Sequence, residues 1–320
     1  MPRGARLDEP GALHHVMVRG IERSLIVVDD EDRLDFLKRI GKAAAATGTV
    51  IYAWALMTNH AHLLLRSGEA GLSSFMRKVL TGYSVSFNRR HHRSGHLFQN
   101  RYKSILCEEE PYFLKLVTYI HLNPLRARIV ASLEELERYP WSGHSALMGR
   151  SEYIWQDTEY VLEQFGVKVG AARKAYLEFL GEQSQIGYQP ELTGGGLVRS
   201  AGGWSEVLSM RQRGERQFSD ERILGSGEFV EEVLGEVDGK QKEMMPVKLK
   251  HAEAEKLLDH QCHEAGLSQE ALQGGSRSKE YCAFRRELSR KFVIELGLSH
   301  ADVARLLGIS RSAVSQMLRR

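Results

Sequence analysis

Three cysteines in 320 residues, Cys107, Cys262 and Cys282, with no C-x-x-C pair among them, leave no material for a disulfide framework or a thiolate zinc site. The stretch His260-Gln261-Cys262-His263 reads as an incidental cluster, because adjacent residues on a helix diverge. Nowhere do apolar residues run for the roughly 18 positions of a membrane span, and the first nine residues lack the apolar core of a signal peptide. No membrane partner is expected, and the expected address is cytoplasmic. The glycine clusters at 194–196, 202–203 and 225–227 lack the G-x-x-x-x-G-K-[ST] spacing of a phosphate-binding loop and read as turns.

Acidic residues are missing from 71–107, where Arg77, Lys78, Arg89, Arg90, Arg93, Arg101 and Lys103 all fall. None follows Asp302 either, and that end carries Arg305, Arg311, Arg319 and Arg320. The net charge of only +3 therefore hides two basic zones separated by acidic stretches. Such zones suit a polyanion gripped at two places, although two solvated helix faces would give the same pattern. The length suffices for two or three domains, and 42% hydrophobic content suffices to fill their cores.

The informative motif is His60-Ala61-His62, inside an apolar run from Trp54 to Leu65. A strand sends alternate side chains to one side about 6.6 Å apart, so both imidazoles can converge on one cation. Two histidines on a strand with no metal is the competing reading. Residues 50–57 and 60–66 form two strands with a tight turn at Thr58-Asn59, an antiparallel pair. A strand at 12–19 precedes them, and a helix from about Asp30 opens with Asp29, Asp30 and Glu31 at its positive end. Helical periodicity returns from Leu72 to about His91, a strand follows at 96–106, and Glu108-Glu109-Glu110-Pro111 starts another helix, ending before Pro124. On that helix Tyr119 and Asn123 lie one turn apart on one face. A phenol there could attack phosphorus and an amide oxygen could complete a cation site; equally, the tyrosine could pack in the core and the asparagine cap the helix. Tyr83 and Tyr102 are competing phenols.

Further along, helices are expected at 158–165, 171–183 and 228–236, within a connector at 143–242. The last segment has helix-turn-helix spacing: Ala304 allows close approach, Gly308 permits the turn, Ile309 plugs the core, Ser310 caps the second helix and Val314 anchors it. An ordinary helical hairpin is the alternative. As a DNA reader, its second helix would present Arg311, Ser312, Ser315, Gln316 and Arg319 to a groove.

Residues 11–143 resemble the IS200-like and REP-associated single-tyrosine transposases, members of the HUH endonucleases. The resemblance runs through Pro10 to Val16 with Arg19-Gly20, Leu56 to Leu64, Asn88-Arg89-Arg90 with Gly95 to Ser104, and Tyr119-Ile120-His121-Leu122-Asn123-Pro124-Leu125-Arg126-Ala127. Thr58, where many relatives have proline, departs from the pattern. The resemblance implies an α+β fold, an antiparallel ferredoxin-like sheet with helices on one face, for domain 1–142, followed by the 143–242 connector and an all-α domain at 243–320. It further implies that His60, His62 and Asn123 ligate Mg²⁺ or Mn²⁺ and that Tyr119 is the nucleophile. Single-stranded and hairpin DNA would be the substrate of a monomer or homodimer, with Arg89, Arg90, Arg93, Arg101 and Lys103 holding phosphates. The C-terminal domain resembles that of the replication initiator DnaA, through Arg286-Glu287-Leu288-Ser289-Arg290 and the segment after Gly297, which implies duplex or hairpin-stem binding. The alternative function is a sequence-specific DNA-binding regulator whose nuclease domain does not cut.

Overall fold

The computed structural model describes residues 7–99, 101–186, 192, 219–244, 247–276 and 278–318. They divide into two compact units, Met1–Glu231 and Glu232–Arg320.

The first unit is built on a sheet of β1 (Leu13–Arg19), β2 (Val50–Leu56), β3 (His60–Arg66), β4 (Lys103–Cys107) and β5 (Ile223–Leu224), in the order β2-β3-β1-β4-β5. With α1 (Asp30–Thr47) between β1 and β2, and α2 (Gly71–Arg90) between β3 and β4, the first four strands follow the βαββαβ order of ferredoxin-like units. The hairpin closes where expected: Met57 N–H donates to the His60 carbonyl at 2.8 Å across Thr58-Asn59. α1 starts where the Asp29 carboxylate accepts the Asp32 N–H and stops at Gly48, whose φ of 66° ends the helix.

Three expectations about this sheet need correction. It is mixed, because β5 joins β4 in parallel through Leu106–Ile223 and Cys107–Leu224. Helices also cover both faces. On one, α1 and α2 pack Phe36, Leu37, Ile40, Phe75 and Val79 against Val16, Trp54 and Leu63. On the other, α3 (Glu109–His121) packs Phe113, Leu116, Val117 and Ile120 against Leu13, Ala53 and Leu64. The cause is legible in β3 itself: Leu63 and Leu65 point one way, Leu64 the other, and all three are at most 1% exposed. A strand apolar on both faces needs a layer on each. β4 is also shorter than the strand expected at 96–106. Residues 97–99 instead run beside the loop after β1, with a single bridge between Gly20 and Phe98.

Past α4 (Asn123–Arg126) and α5 (Leu133–Arg138), α6 (Gly143–Leu147), α7 (Thr158–Glu163) and α8 (Val169–Gln185) belong to the same core through Leu147, Val161, Tyr176 and Leu180. Residues 143–186, expected as part of a connector, thus complete the first unit's core. Gln156 fastens them: its side-chain oxygen accepts Trp54 Nε1–H at 2.9 Å, and its amide nitrogen donates to the carbonyls of Tyr52 and Gly143, each at 3.1 Å. The glycine clusters at 194–196 and 202–203 lie outside the described residues.

α9 (Gly227–Met244) leads to the second unit, which holds α10 (Val247–Ala265), α11 (Gln269–Gln273), α12 (Lys279–Arg290), α13 (His300–Leu307) and α14 (Arg311–Leu318). Leu258, Leu272, Leu288, Phe292, Val303, Leu307 and Val314 form its core. α12 continues as one wide π turn over Lys291–Glu295. Between α13 and α14, Gly308 takes φ 65°, and a Cβ there would collide with the Gln273 carbonyl, so glycine is required twice over. Ser310 Oγ accepts the Ala313 N–H at 3.2 Å, as expected of a cap. Among the described residues no helix is long and apolar enough to cross a membrane.

One polar contact inside the first unit ties three helices together. Tyr176 on α8 hydrogen-bonds through its hydroxyl to His121 Nδ1 on α3 at 2.8 Å and to His144 Nδ1 on α6 at 3.0 Å, all fully buried. The single hydroxyl proton can serve only one of the two rings, so at least one Nδ1 carries a proton and donates to the Tyr176 oxygen. Tyr176→Phe strands two buried ring nitrogens; the expected loss is about 1–3 kcal/mol, read from the urea midpoint of the first unit, and an unchanged midpoint would refute this brace.

Candidate functional site

The face of the sheet that carries α3 collects the polar residues. Antiparallel register sets His60 opposite Arg19, and His62 opposite Met17, which in turn faces Lys103 on β4. Residues in register share a face, so Arg19 and Lys103 flank the histidine pair with positive charge. His60 and His62 have ring centroids 5.2 Å apart. Two residues along β1 on the same face, His15 stacks on His62 at 5.3 Å and shares a hydrogen bond with it, Nε2 to Nδ1, at 3.0 Å.

α3 lays Tyr119 across these rings. Its ring centroid is 5.9 Å from His15 and 6.2 Å from His62, edge-on to both. The Arg126 guanidinium sits over that ring, 5.2 Å from the centroid. Tyr119 is half-buried, with Thr118 and Ile120 on either side buried, so the helix anchors on the core while the phenol ring lies among the histidines.

Asn123 takes the alternative that spacing left open: its amide nitrogen donates to the Tyr119 carbonyl at 2.9 Å and to the Ile120 carbonyl at 3.4 Å, closing the end of α3. Only its Oδ1 is left to offer a cation.

Burial holds both motif histidines neutral. His60 is lowered to about 4, by desolvation first and then by Arg19. His62 falls well below its ordinary value, again chiefly by burial, with His15, His60 and Arg19 adding to it. A neutral imidazole is the form that ligates a metal. Burial likewise pulls the Arg126 guanidinium down. Among the described residues no three His, Cys, Asp or Glu side chains converge to hold a metal ion, so the donors that a cation would find here are the two neutral imidazoles. That donor set fits a divalent ion that keeps several waters.

The competing phenols go to structure. Tyr83 is buried against Phe36 and donates its hydroxyl to the Ile26 carbonyl. Tyr102 packs in the same core, its hydroxyl 3.2 Å from Ser73 Oγ. The basic candidates divide. Arg89, Arg101 and Lys103 are exposed, and the Arg93 guanidinium lies over Phe87 at 5.6 Å. Arg90 is bound within the fold, paired to Asp29 at 2.6 Å, Glu31 at 2.9 Å and Asp32 at 2.7 Å, where acids that open α1 meet the end of α2. In the second unit Arg311, Ser312 and Gln316 are exposed on α14 and Ser315 is half-buried, while Arg319 lies outside the described residues.

Sequence reasoning gave no role to His15, Arg19 or Arg126. All three stand inside the motifs quoted for the family resemblance; what links them to the histidine pair is strand register and helix docking, neither of which spacing alone supplies.

Residues 11–123 match the family model described as "Transposase IS200 like". Among solved structures, the chain is similar to that of a REP-associated tyrosine transposase bound to a REP hairpin, at 16% identity and a TM-score of 0.40, over 49% of this chain and 98% of that one. No curated protein matches.

The neutral histidines have a consequence for acid stability. His14, on the opposite face of β1, is fully buried with neither ring nitrogen hydrogen-bonded among the described residues, and burial lowers it to about 4. Between pH 6.5 and 4 the unfolded chain takes up a proton that the folded one refuses, so stability is intact above 6.5 and falls towards 4. His14→Leu should remove about 3 kcal/mol of that acid-induced loss, measured by urea unfolding from pH 7 to 4; an unchanged pH slope would show that His14 is not held neutral.

Proposed function

The chain belongs, through residues 11–123, to the IS200-like transposase family of DNA-cutting enzymes, and from that premise we propose that it nicks and rejoins single-stranded DNA at hairpin-forming repeats using Tyr119. The observation that carries this reading is the phenol of α3 lying across the His15–His62 pair on one sheet face.

In this reading His60, His62 and Asn123 would hold Mg²⁺ or Mn²⁺, which would supply Lewis-acid polarisation of the scissile phosphate and offset charge that builds during attack. Tyr119, as tyrosinate, attacks phosphorus; the new Tyr–O–P bond retains the 5′ phosphate, the P–O3′ bond breaks, and the 3′ hydroxyl takes a proton and leaves. Arg19, Lys103 and Arg126 surround that phosphate with positive charge, and exposed Arg89 and Arg101 extend the grip along the strand. Because the tyrosine ester keeps the phosphodiester's energy, a 3′ hydroxyl can reverse the attack and join new ends without ATP. One chain supplies every part, so a monomer suffices and a homodimer is compatible. The chemistry belongs in the cytoplasm, with DNA.

The C-terminal unit supplies a second contact, a helix-turn-helix that reads duplex or a hairpin stem through Arg311, Ser312, Ser315 and Gln316. A DnaA-like origin for that unit is part of the same proposal.

Incubating the full chain with single-stranded hairpin DNA and Mn²⁺ should give a covalent adduct on a denaturing gel. Tyr119→Phe should abolish it, and His60→Ala or His62→Ala should slow it by at least about a hundredfold. Cleavage that survives Tyr119→Phe would remove the assigned nucleophile; binding with no adduct in the wild type would leave a DNA-binding regulator, and cleavage with no protein-linked product would leave a hydrolytic phosphoesterase. For the second contact, Arg311→Ala should weaken duplex binding across sequences and reduce the salt slope by about 1, read by titration at several salt concentrations. An unchanged slope would place the duplex contact elsewhere.

A further inference from the structure

The residue before the histidine pair belongs to the site in a way neither family match nor spacing assigns. Asn59 Oδ1 lies 2.6 Å from His60 Nδ1, and its amide nitrogen donates to the Arg23 carbonyl at 3.1 Å. We infer that Asn59 is a positioning residue that fixes His60 in the tautomer with a proton on Nδ1 and a lone pair on Nε2.

The partners of the amide decide which way it faces. A carbonyl can only accept, so the end of Asn59 that meets Arg23 must be the NH₂. The end that meets His60 is then the oxygen, which can only accept in its turn, and Nδ1 must donate. A neutral imidazole has one ring proton, so Nε2 is left unprotonated. Without such an acceptor a histidine side chain in water favours the other tautomer, with its proton on Nε2, where it blocks coordination. Metal-bound histidines are commonly oriented by a second hydrogen bond of this type.

The Arg23 carbonyl is held in place for the purpose. Glu22 and Arg23 both take left-handed backbone angles, φ 50° and 62°, which non-glycine residues rarely adopt. The loop is fastened around them: Ile21 N–H donates to the Leu97 carbonyl at 2.9 Å, Ser24 N–H to the Ile21 carbonyl at 2.8 Å, and Gly20 N–H to the Asn59 carbonyl at 2.9 Å. Asn59 is therefore gripped by backbone and side chain from one loop, and a strained turn persists only where its surroundings over-determine it. The His15–His62 contact alone allows either ring to donate, whereas the Asn59 oxygen assigns the donor at His60.

This inference rests on the metal reading of His60, and the test separates the two. In ¹⁵N-labelled, metal-free full-length protein, long-range proton–nitrogen correlation should show His60 with its proton on Nδ1, the signal being identified by its loss in His60→Gln. Asn59→Ala should move the population towards Nε2–H and weaken Mn²⁺ binding, read as free Mn²⁺ by electron paramagnetic resonance, by about tenfold to a hundredfold. Asn59→Asp, which keeps an acceptor oxygen, should restore the Nδ1–H tautomer. An Nε2–H proton on His60 in the wild type overturns the inference, as does an unaltered tautomer in Asn59→Ala. Absence of Mn²⁺ binding by the wild type would instead remove the metal reading, and the tautomer measurement would still decide the role of Asn59.

Discussion

A strand buried on both faces forces everything else in the first unit. β3 lies between β2 and β1 with Leu63 and Leu65 on one side and Leu64 on the other, and neither set can be left in water. α1 and α2, the crossovers of the βαββαβ order, cover the first side. The second side must be covered by chain that comes after β4, and the first helix to arrive is α3. Since His60 and His62 share a face with Leu64, the helix that buries that leucine necessarily lays its residues across the histidines. Tyr119 reaches His62 because the sheet needed a second layer.

The same layer sets the charge state of the site. Covering His62 removes water from an imidazole whose near neighbours are two further imidazoles and Arg19, so protonation is disfavoured by burial and by like charge together. The result is a neutral imidazole pair rimmed by fixed cations, an arrangement that a protonated pair would spoil by like-charge repulsion of Arg19. Arg19 and Lys103 remain at the rim, exposed, where solvation keeps their charge inexpensive.

Local signals carried much of this into the sequence. The hairpin at Thr58-Asn59, the acid-led start of α1, the span of α2 and the Tyr119–Asn123 face all follow from periods of 2 and 3.6 or from capping chemistry within a few residues. What stayed hidden depends on partners distant in the chain. β5 is two residues long and pairs with β4 from more than a hundred positions away, so no local alternation marks it. Arg90 stands in a run free of acids and reads as a DNA contact, yet its acids come from the start of α1 across the fold. Asn123 could have faced a cation or closed its own helix, and the observed amide nitrogen does the second. His15 needed the β1–β3 register to be seen beside His62.

Residues 143–186 show how such distance matters to the chemistry. Read locally they are short helices after a domain, but the nucleophile proposed at Tyr119 needs a rigid mount. α3 gains that rigidity from two sources, its apolar face on the sheet and the Tyr176 hydroxyl that grips His121, two residues beyond Tyr119. His121 faces into α6 and α8, so the helix is clamped on one side while the Tyr119 phenol lies against His15 and His62 on another. Gln156 then ties the same helices back to β2 through Tyr52 and Trp54, closing a loop of contacts from the histidine-bearing sheet, through α3, and around to the sheet again. Taking away the helices after position 142 would strip His121 of its hydroxyl partner at the root of the tyrosine, so the core of the first unit extends well beyond the family match that ends at Asn123.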